Sequence, residues 1–143
     1  MKNQQYSLVQ ASFARVEPIA EAAAELFYKR LFDLEPGLSK LFHGDMKEQG
    51  RKLMAMLAAA VRGLDNIDKL VPVLQQLGRR HAGYGVQPRH YDTVGEAFLW
   101  TLEQGLGAAF TAEVRDAWAA VYGTMAGVMI AAASTAPVAE TVG

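Results

Sequence analysis

The sequence predicts an all-α fold of six or seven helices of unequal length, in an irregular box rather than a four-helix bundle. Three observations carry this expectation. Apolar residues recur at helical spacing along most of the chain. No Val/Ile/Thr run alternates with polar residues, and no Asn-Gly or Asp-Gly pair joins two such runs. Pro18, Pro36 and Pro88 stand where a helix would begin or stop.

Taken in order, the first helix carries Leu8, Ala11, Ser12 and Arg15 on one side and meets the second near Pro18. The second places Ala23, Leu26, Phe27, Arg30 and Leu31 at helical spacing, with Tyr28 and Phe32 as an added stripe. Pro36 marks a stop or tight turn, and an irregular stretch follows through Leu41 and Phe42. Asp45, with Glu48 three residues on, predicts a capped start for a third helix reaching about Gly63. Asn66 or Asp68 opens the next, which ends near Gly83 or Gly85. Pro88 opens a long helix to about Gly107, and Thr111 caps the last, which ends near Ser134. One domain over residues 1–134 is expected, with 135–143 a flexible C-terminal tail.

Composition narrows the function. The chain has 143 residues, 51% hydrophobic and 20% charged, as folded globular chains do. Lys and Arg number 14 against 15 Asp and Glu, so the net charge of −1 argues against nucleic acid as a partner. The absence of cysteine excludes disulfides, thiolate metal sites and thiol nucleophiles. Residues 1–30 lack the pattern of a secretory signal, so a cytoplasmic location is expected. Ala117 to Ala139 carries no charge and is long enough to span a bilayer. Its Ala, Gly, Ser and Thr content, with no flanking basic cluster, predicts a buried helix and no membrane partner.

Several chemistries fail on spacing. Gly83-Tyr84-Gly85 lacks the third glycine of a dinucleotide loop, and no Gly-Lys-Ser/Thr phosphate loop or Gly-x-Ser-x-Gly elbow is present. His43, His81 and His90 show no zinc-hydrolase spacing. His81 stands out because Leu70, Leu74 and Leu77 lead up to it along one helix face. An imidazole there can bind a metal through one nitrogen while the other bonds a carbonyl one turn back. An ordinary boundary histidine fits the same pattern. In the third helix, Gln49, Lys52, Leu53, Met56 and Leu57 share a face, as suits a large flat ligand with an apolar body and an acidic edge. Tyr28 could bring a phenol to that space. Gln49 and Lys52 could equally stand at the solvent rim, and Tyr28 could be a core aromatic bonded to backbone.

An ordered series of short motifs resembles the bacterial single-domain globins related to flavohaemoglobins. It comprises Glu-Pro at 17–18, Leu-Phe-Tyr at 26–28, Leu-Phe at 41–42, Arg-Lys-Leu-Met at 51–54 and Gly-Leu-Asp-Asn at 63–66. Leu-Gly-Arg-Arg-His at 77–81, Tyr-Gly-Val at 84–86, His-Tyr-x-x-Val-Gly at 90–95 and Ala-Trp-x-x-Val-Tyr-Gly at 117–123 complete it. The resemblance covers residues 5–133. It implies a globin fold around haem b, with His81 as the proximal iron ligand. It implies that Phe42 packs flat on the porphyrin, that Pro36 shapes the turn before it, and that Lys52, with His43, sits near the propionates. Tyr28 and Gln49 become the distal pair, Leu53 closes the distal wall, and Val86, Tyr91, Val94 and Phe98 line the proximal and rear pocket.

These roles imply reversible dioxygen binding, with CO and NO as further ligands. A phenol and an amide aimed at bound dioxygen would stabilise its charge and slow release. Position 49 is not histidine, so the unliganded ferrous iron is expected to be five-coordinate. Relatives of this kind pair a carboxylate in the last helix with a tyrosine beside the proximal histidine. Tyr91 is present, but the register set by Trp118, Tyr122 and Gly123 puts Ala133 at the carboxylate position. The chain ends where a flavin reductase domain would begin, so turnover is expected to need an external reductase. One alternative is a nitric oxide dioxygenase served by such a reductase. Another is a haem-free or sensory module. Gly123 and Gly127 predict a close helix approach inside the fold, or a contact in a weak homodimer of an otherwise monomeric protein.

Overall fold

The structure is a computed structural model that describes residues 2–42 and 44–134. Six α-helices make up most of these described residues: α1 (Lys2–Val16), α2 (Ala20–Leu34), α3 (Met46–Arg62), α4 (Ile67–Gly83), α5 (Pro88–Leu106) and α6 (Ala112–Ser134). Short 3₁₀ turns at Glu17–Ile19, Pro36–Leu41, Gly63–Asn66 and Gly107–Ala109 join or extend them. No strand occurs among the described residues. The expected tail at 135–143 and His43 lie outside them.

Local chemistry sets the boundaries. The Asp45 carboxylate accepts the Lys47 N–H and caps α3. The reciprocal half of the predicted box is absent, because Glu48 reaches Arg51 at 3.0 Å instead. Thr111 Oγ1 accepts the Val114 N–H at 3.2 Å and caps α6. α2 stops at Leu34, and Pro36 begins a tight 3₁₀ turn, as expected. Pro72, which the sequence reading leaves unplaced, lies inside α4. It is exposed, as is Asp68 four residues back, so water can serve the carbonyl that loses its helical partner.

The core forms where α1 and α5 meet α6, where α2 packs on α5, and where α4 crosses α6. Trp118 is fully buried between Phe13 and Phe98, and its indole N–H donates to Ser12 Oγ at 2.8 Å. That bond satisfies two polar groups that burial would otherwise penalise. The inward face of α1 is Val9, Ser12, Phe13 and Val16. Ala11 and Arg15, expected beside Ser12, face solvent. Among the described residues α6 is the one helix long and apolar enough to cross a bilayer. Its stripe of Val114, Ala117, Trp118, Val121, Met125 and Met129 is buried within the fold.

Glycine usage corrects one expectation. Gly123 and Gly127 are exposed, with nothing near a Cβ built on either, so they permit no close approach within the fold. The close approach is at Gly78, where a Cβ would overlap the Met129 carbonyl of α6. Gly95 plays a similar part under the flat ring of Tyr122.

Candidate functional site

His81 sits in the last turn of α4, half-buried. Its Nδ1 is 2.8 Å from the Leu77 carbonyl oxygen. A carbonyl only accepts, so Nδ1 carries the proton and Nε2 presents its lone pair. Nε2 has no partner among the described residues. Burial holds the imidazole below its ordinary pKa, and the Leu77 bond opposes that shift without cancelling it. A neutral imidazole with a free, oriented nitrogen is the donor that a transition metal requires.

The backbone around His81 is held from one side. The N–H groups of Tyr84 and Val86 both donate to the His81 carbonyl, at 3.1 and 3.0 Å. Gly85 adopts φ +97°, which lets the chain reverse between α4 and α5. The Tyr91 ring lies nearly parallel to His81 with centroids 6.4 Å apart. The Tyr91 carbonyl accepts the Tyr122 hydroxyl at 2.6 Å, which anchors α5 to α6. Burial raises the pKa of both phenols. A cavity of about 190 Å³ borders Tyr91, lined also by Val86, Gly78, Ile130 and Ala133. Ala133 thus faces the space beside Tyr91, as the α6 register predicts.

A second group gathers on α2 and α3. The two helices approach closely where Gly50 meets Ala24, leaving 3.0 Å between a Cβ at 50 and the alanine methyl. Tyr28 is wedged beside this crossing, edge-on to Phe42 at 5.3 Å and stacked on Phe32 at 6.0 Å. Its hydroxyl donates to the backbone carbonyl of Gln49 at 3.3 Å. Tyr28, Gln49 and Phe42 are therefore brought together. The phenol itself is bonded to backbone, one of the two arrangements the sequence leaves open. Burial pushes its pKa up to about 12, so it remains a donor at neutral pH. A groove of about 490 Å³ runs outside this crossing, with Tyr28 in its wall.

Between these groups α3 packs on α2 and α1 but does not lie along α4 or α5. Its Leu53, Met56 and Leu57 are half-buried and pack against the edge of the core. On α5, Tyr91 and Val94 are likewise half-buried. Phe98, one turn further, is buried among Phe27, Trp118 and Tyr122. Lys52 is exposed at the solvent edge of α3, and Gln49 is half-buried. A half-buried apolar face on α3, together with an imidazole nitrogen on α4 that has no partner among the described residues, fits a flat apolar group carrying a metal.

Sequence reasoning missed one cluster here. Glu35, at the end of α2, accepts from Arg89 at 2.6 Å and Thr93 at 3.0 Å, and its Oε2 lies 3.2 Å from His90 Nε2, all three at the start of α5. His90 Nδ1 accepts the Gln87 N–H at 2.9 Å. Gln87 before Pro88, with a side-chain acceptor three positions on, is the signal that could have exposed half of it.

Comparison with known proteins identifies the family. The globin family model matches residues 25–129. The chain is 34% identical over 127 residues to a flavohaemoprotein of Bordetella parapertussis, covering 87% of this chain and 32% of that protein. It is 36% identical over 111 residues to a neuroglobin of Tetraodon nigroviridis, covering 68% of this chain and 70% of that one. Among solved structures, an engineered carbene transferase superposes with a TM-score of 0.82 at 27% identity, covering 92% of both chains. That enzyme derives from a Rhodothermus marinus protein assigned as a nitric oxide dioxygenase. The chain spans about one third of the length of the flavohaemoproteins it matches. With a fold shared over 92% of its length and a family model over residues 25–129, the chain belongs to the globin family, and its cofactor is haem.

Proposed function

We propose that this globin holds haem b through His81 Nε2 and binds dioxygen reversibly in the cytoplasm. The observation that carries the reading is the orientation of His81: Nδ1 is fixed on Leu77 O, and Nε2 is left for a metal. The haem, when bound, supplies the iron that takes diatomic gases. The sequence has no cysteine, so no thioether tethers the cofactor.

The chain's residues divide the remaining work. Leu53 and Phe42 exclude water from the two sides of the distal space, while Val86, Tyr91, Val94 and Phe98 shape the proximal and rear walls. Lys52, at the solvent edge, meets the carboxylate edge of the cofactor. Gln49 and Tyr28 orient a polar ligand. To serve it, Tyr28 must leave the Gln49 carbonyl, a neutral bond that contributes about 1 kcal/mol. A bond to a ligand gaining negative charge contributes about 1.5–3 kcal/mol, so the exchange favours the ligand. Dioxygen gains more than CO, because CO is less polar.

A second reading is a nitric oxide dioxygenase working with a separate reductase, and the flavohaemoprotein and Rhodothermus relatives favour it. The balanced reaction joins NO and O₂ and consumes one electron to give nitrate. Ala133 beside Tyr91 argues for slow turnover, since no carboxylate there strengthens His81 as a donor. Stopped-flow measurement of dioxygen release, followed by nitrate yield with NADH and a flavin reductase, separates the readings. Slow release with one nitrate per protein supports the oxygen binder. Many nitrates per protein support the dioxygenase.

A further inference from the structure

We propose that His90 is a positioning residue for the iron ligand, fixing the turn behind His81 to the end of α2 through Glu35. The inference rests on the assignment of His81 above. His90 is 6% exposed, and each ring nitrogen faces a polar partner. Nδ1 accepts the Gln87 N–H at 2.9 Å, and Nε2 faces Glu35 Oε2 at 3.2 Å. A helix cap needs only the first of these contacts. The second leaves α5 and reaches the last residue before the turn that leads to Phe42.

The turn shows how the tether reaches His81. Val86 and Gln87 are consecutive, and their amides point to opposite partners. Val86 N–H runs back to the His81 carbonyl at 3.0 Å, and Gln87 N–H runs forward to His90. The position of His90 therefore sets the position of Val86, and Val86 holds the main chain of His81. Glu35 closes the chain of contacts: its carboxylate also takes Arg89 and Thr93, so three side chains of α5 converge on one group of α2. Glu35 is in turn fixed by its own N–H to the Leu31 carbonyl at 2.9 Å. Releasing this tether lets His81 shift or tilt while its Leu77 bond persists.

The test compares the full-length haem-loaded protein with His90→Phe, His90→Gln and Glu35→Ala. The readouts are the iron–histidine stretching band of the ferrous protein, the rate of haem transfer to an apoglobin acceptor, and the melting temperature. His90→Phe and Glu35→Ala are expected to shift or broaden the band and to speed haem loss about tenfold, the lower end for a residue that orients a metal ligand. His90→Gln is expected to recover most of both, since its oxygen can accept the Gln87 N–H and its amide can reach Glu35. An unchanged band and unchanged haem loss in Glu35→Ala overturn the proposal, whatever happens to melting. Should His90→Phe fail to fold, His90→Gln and Glu35→Ala decide alone. Wild-type protein that takes up no haem overturns the assignment of His81 and this proposal with it. Haem-replete wild type with insensitive variants overturns only the latter.

Discussion

His81 Nδ1 lies 2.8 Å from the carbonyl oxygen of Leu77, one helical turn back on α4. That one contact selects the tautomer, turns the ring, and leaves Nε2 as the free donor. It also ties the ligand to a rigid helix rather than to the turn that follows.

His81→Gly should lose haem, because the other described imidazole, His90, has Nδ1 bonded to the Gln87 N–H and Nε2 against Glu35. Added imidazole should restore stoichiometric uptake, measured by Soret absorbance. Uptake by the glycine variant without imidazole would contradict the assignment.

Tyr28→Phe removes the phenol and leaves the aromatic contacts with Phe42 and Phe32 in place. Trading a neutral bond for a charge-assisted one is a gain of about 0.5–2 kcal/mol, so dioxygen release should quicken roughly two- to thirtyfold. CO release should change far less. The two rates are read by stopped-flow ligand replacement.

Gly78→Ala places a methyl against the Met129 carbonyl, on backbone that cannot rotate away. Forcing α4 from α6 should cost about 1–3 kcal/mol by denaturant unfolding. Gly123→Ala meets nothing within 4 Å and should be neutral or slightly stabilising through helix propensity.

Ala133→Glu puts a carboxylate at the cavity beside Tyr91. An acceptor there should engage the Tyr91 hydroxyl and strengthen His81 as a donor, raising the ferrous iron–histidine stretching frequency. An unchanged frequency would show that the cavity admits the side chain without coupling it to His81.

Acid should weaken the tether at Glu35. Burial alone would raise its carboxyl, but the Thr93 hydroxyl, then Arg89 and His90, outweigh that and hold it below the usual carboxylate range. The unfolded chain therefore binds this proton more readily than the folded one. The resulting stability is present above the ordinary carboxylate pKa and lost as pH falls through the lowered value. The melting difference between wild type and Glu35→Gln should be full at neutral pH and shrink below about pH 4.

Much of the fold is written locally. Asp45, Pro88 and Thr111 mark helix starts by capping chemistry, and the structure starts α3, α5 and α6 there. What fails is what a distant partner decides. Trp118 lies 106 residues from Ser12, and their bond turns α1 so that Val9 and Phe13 face inward. Gly78 is small because Met129 lies against it, and no pattern within α4 states that. Gly123 and Gly127 have the spacing of a contact but face solvent. In the site, the stripe of leucines leading to His81 was legible because one helix carries all of it. The Glu35–His90 contact was not, because its halves are 55 residues apart and neither belongs to a local motif that names the other.

The most direct test of the central claim is a haem titration of the purified protein, followed by absorption spectra after reduction and after exposure to O₂. The account predicts uptake at one haem per chain, a single broad visible band in the reduced protein, and split bands with O₂ that reverse under vacuum. Failure to take up stoichiometric haem, or a reduced spectrum already split by a second protein ligand, would contradict it.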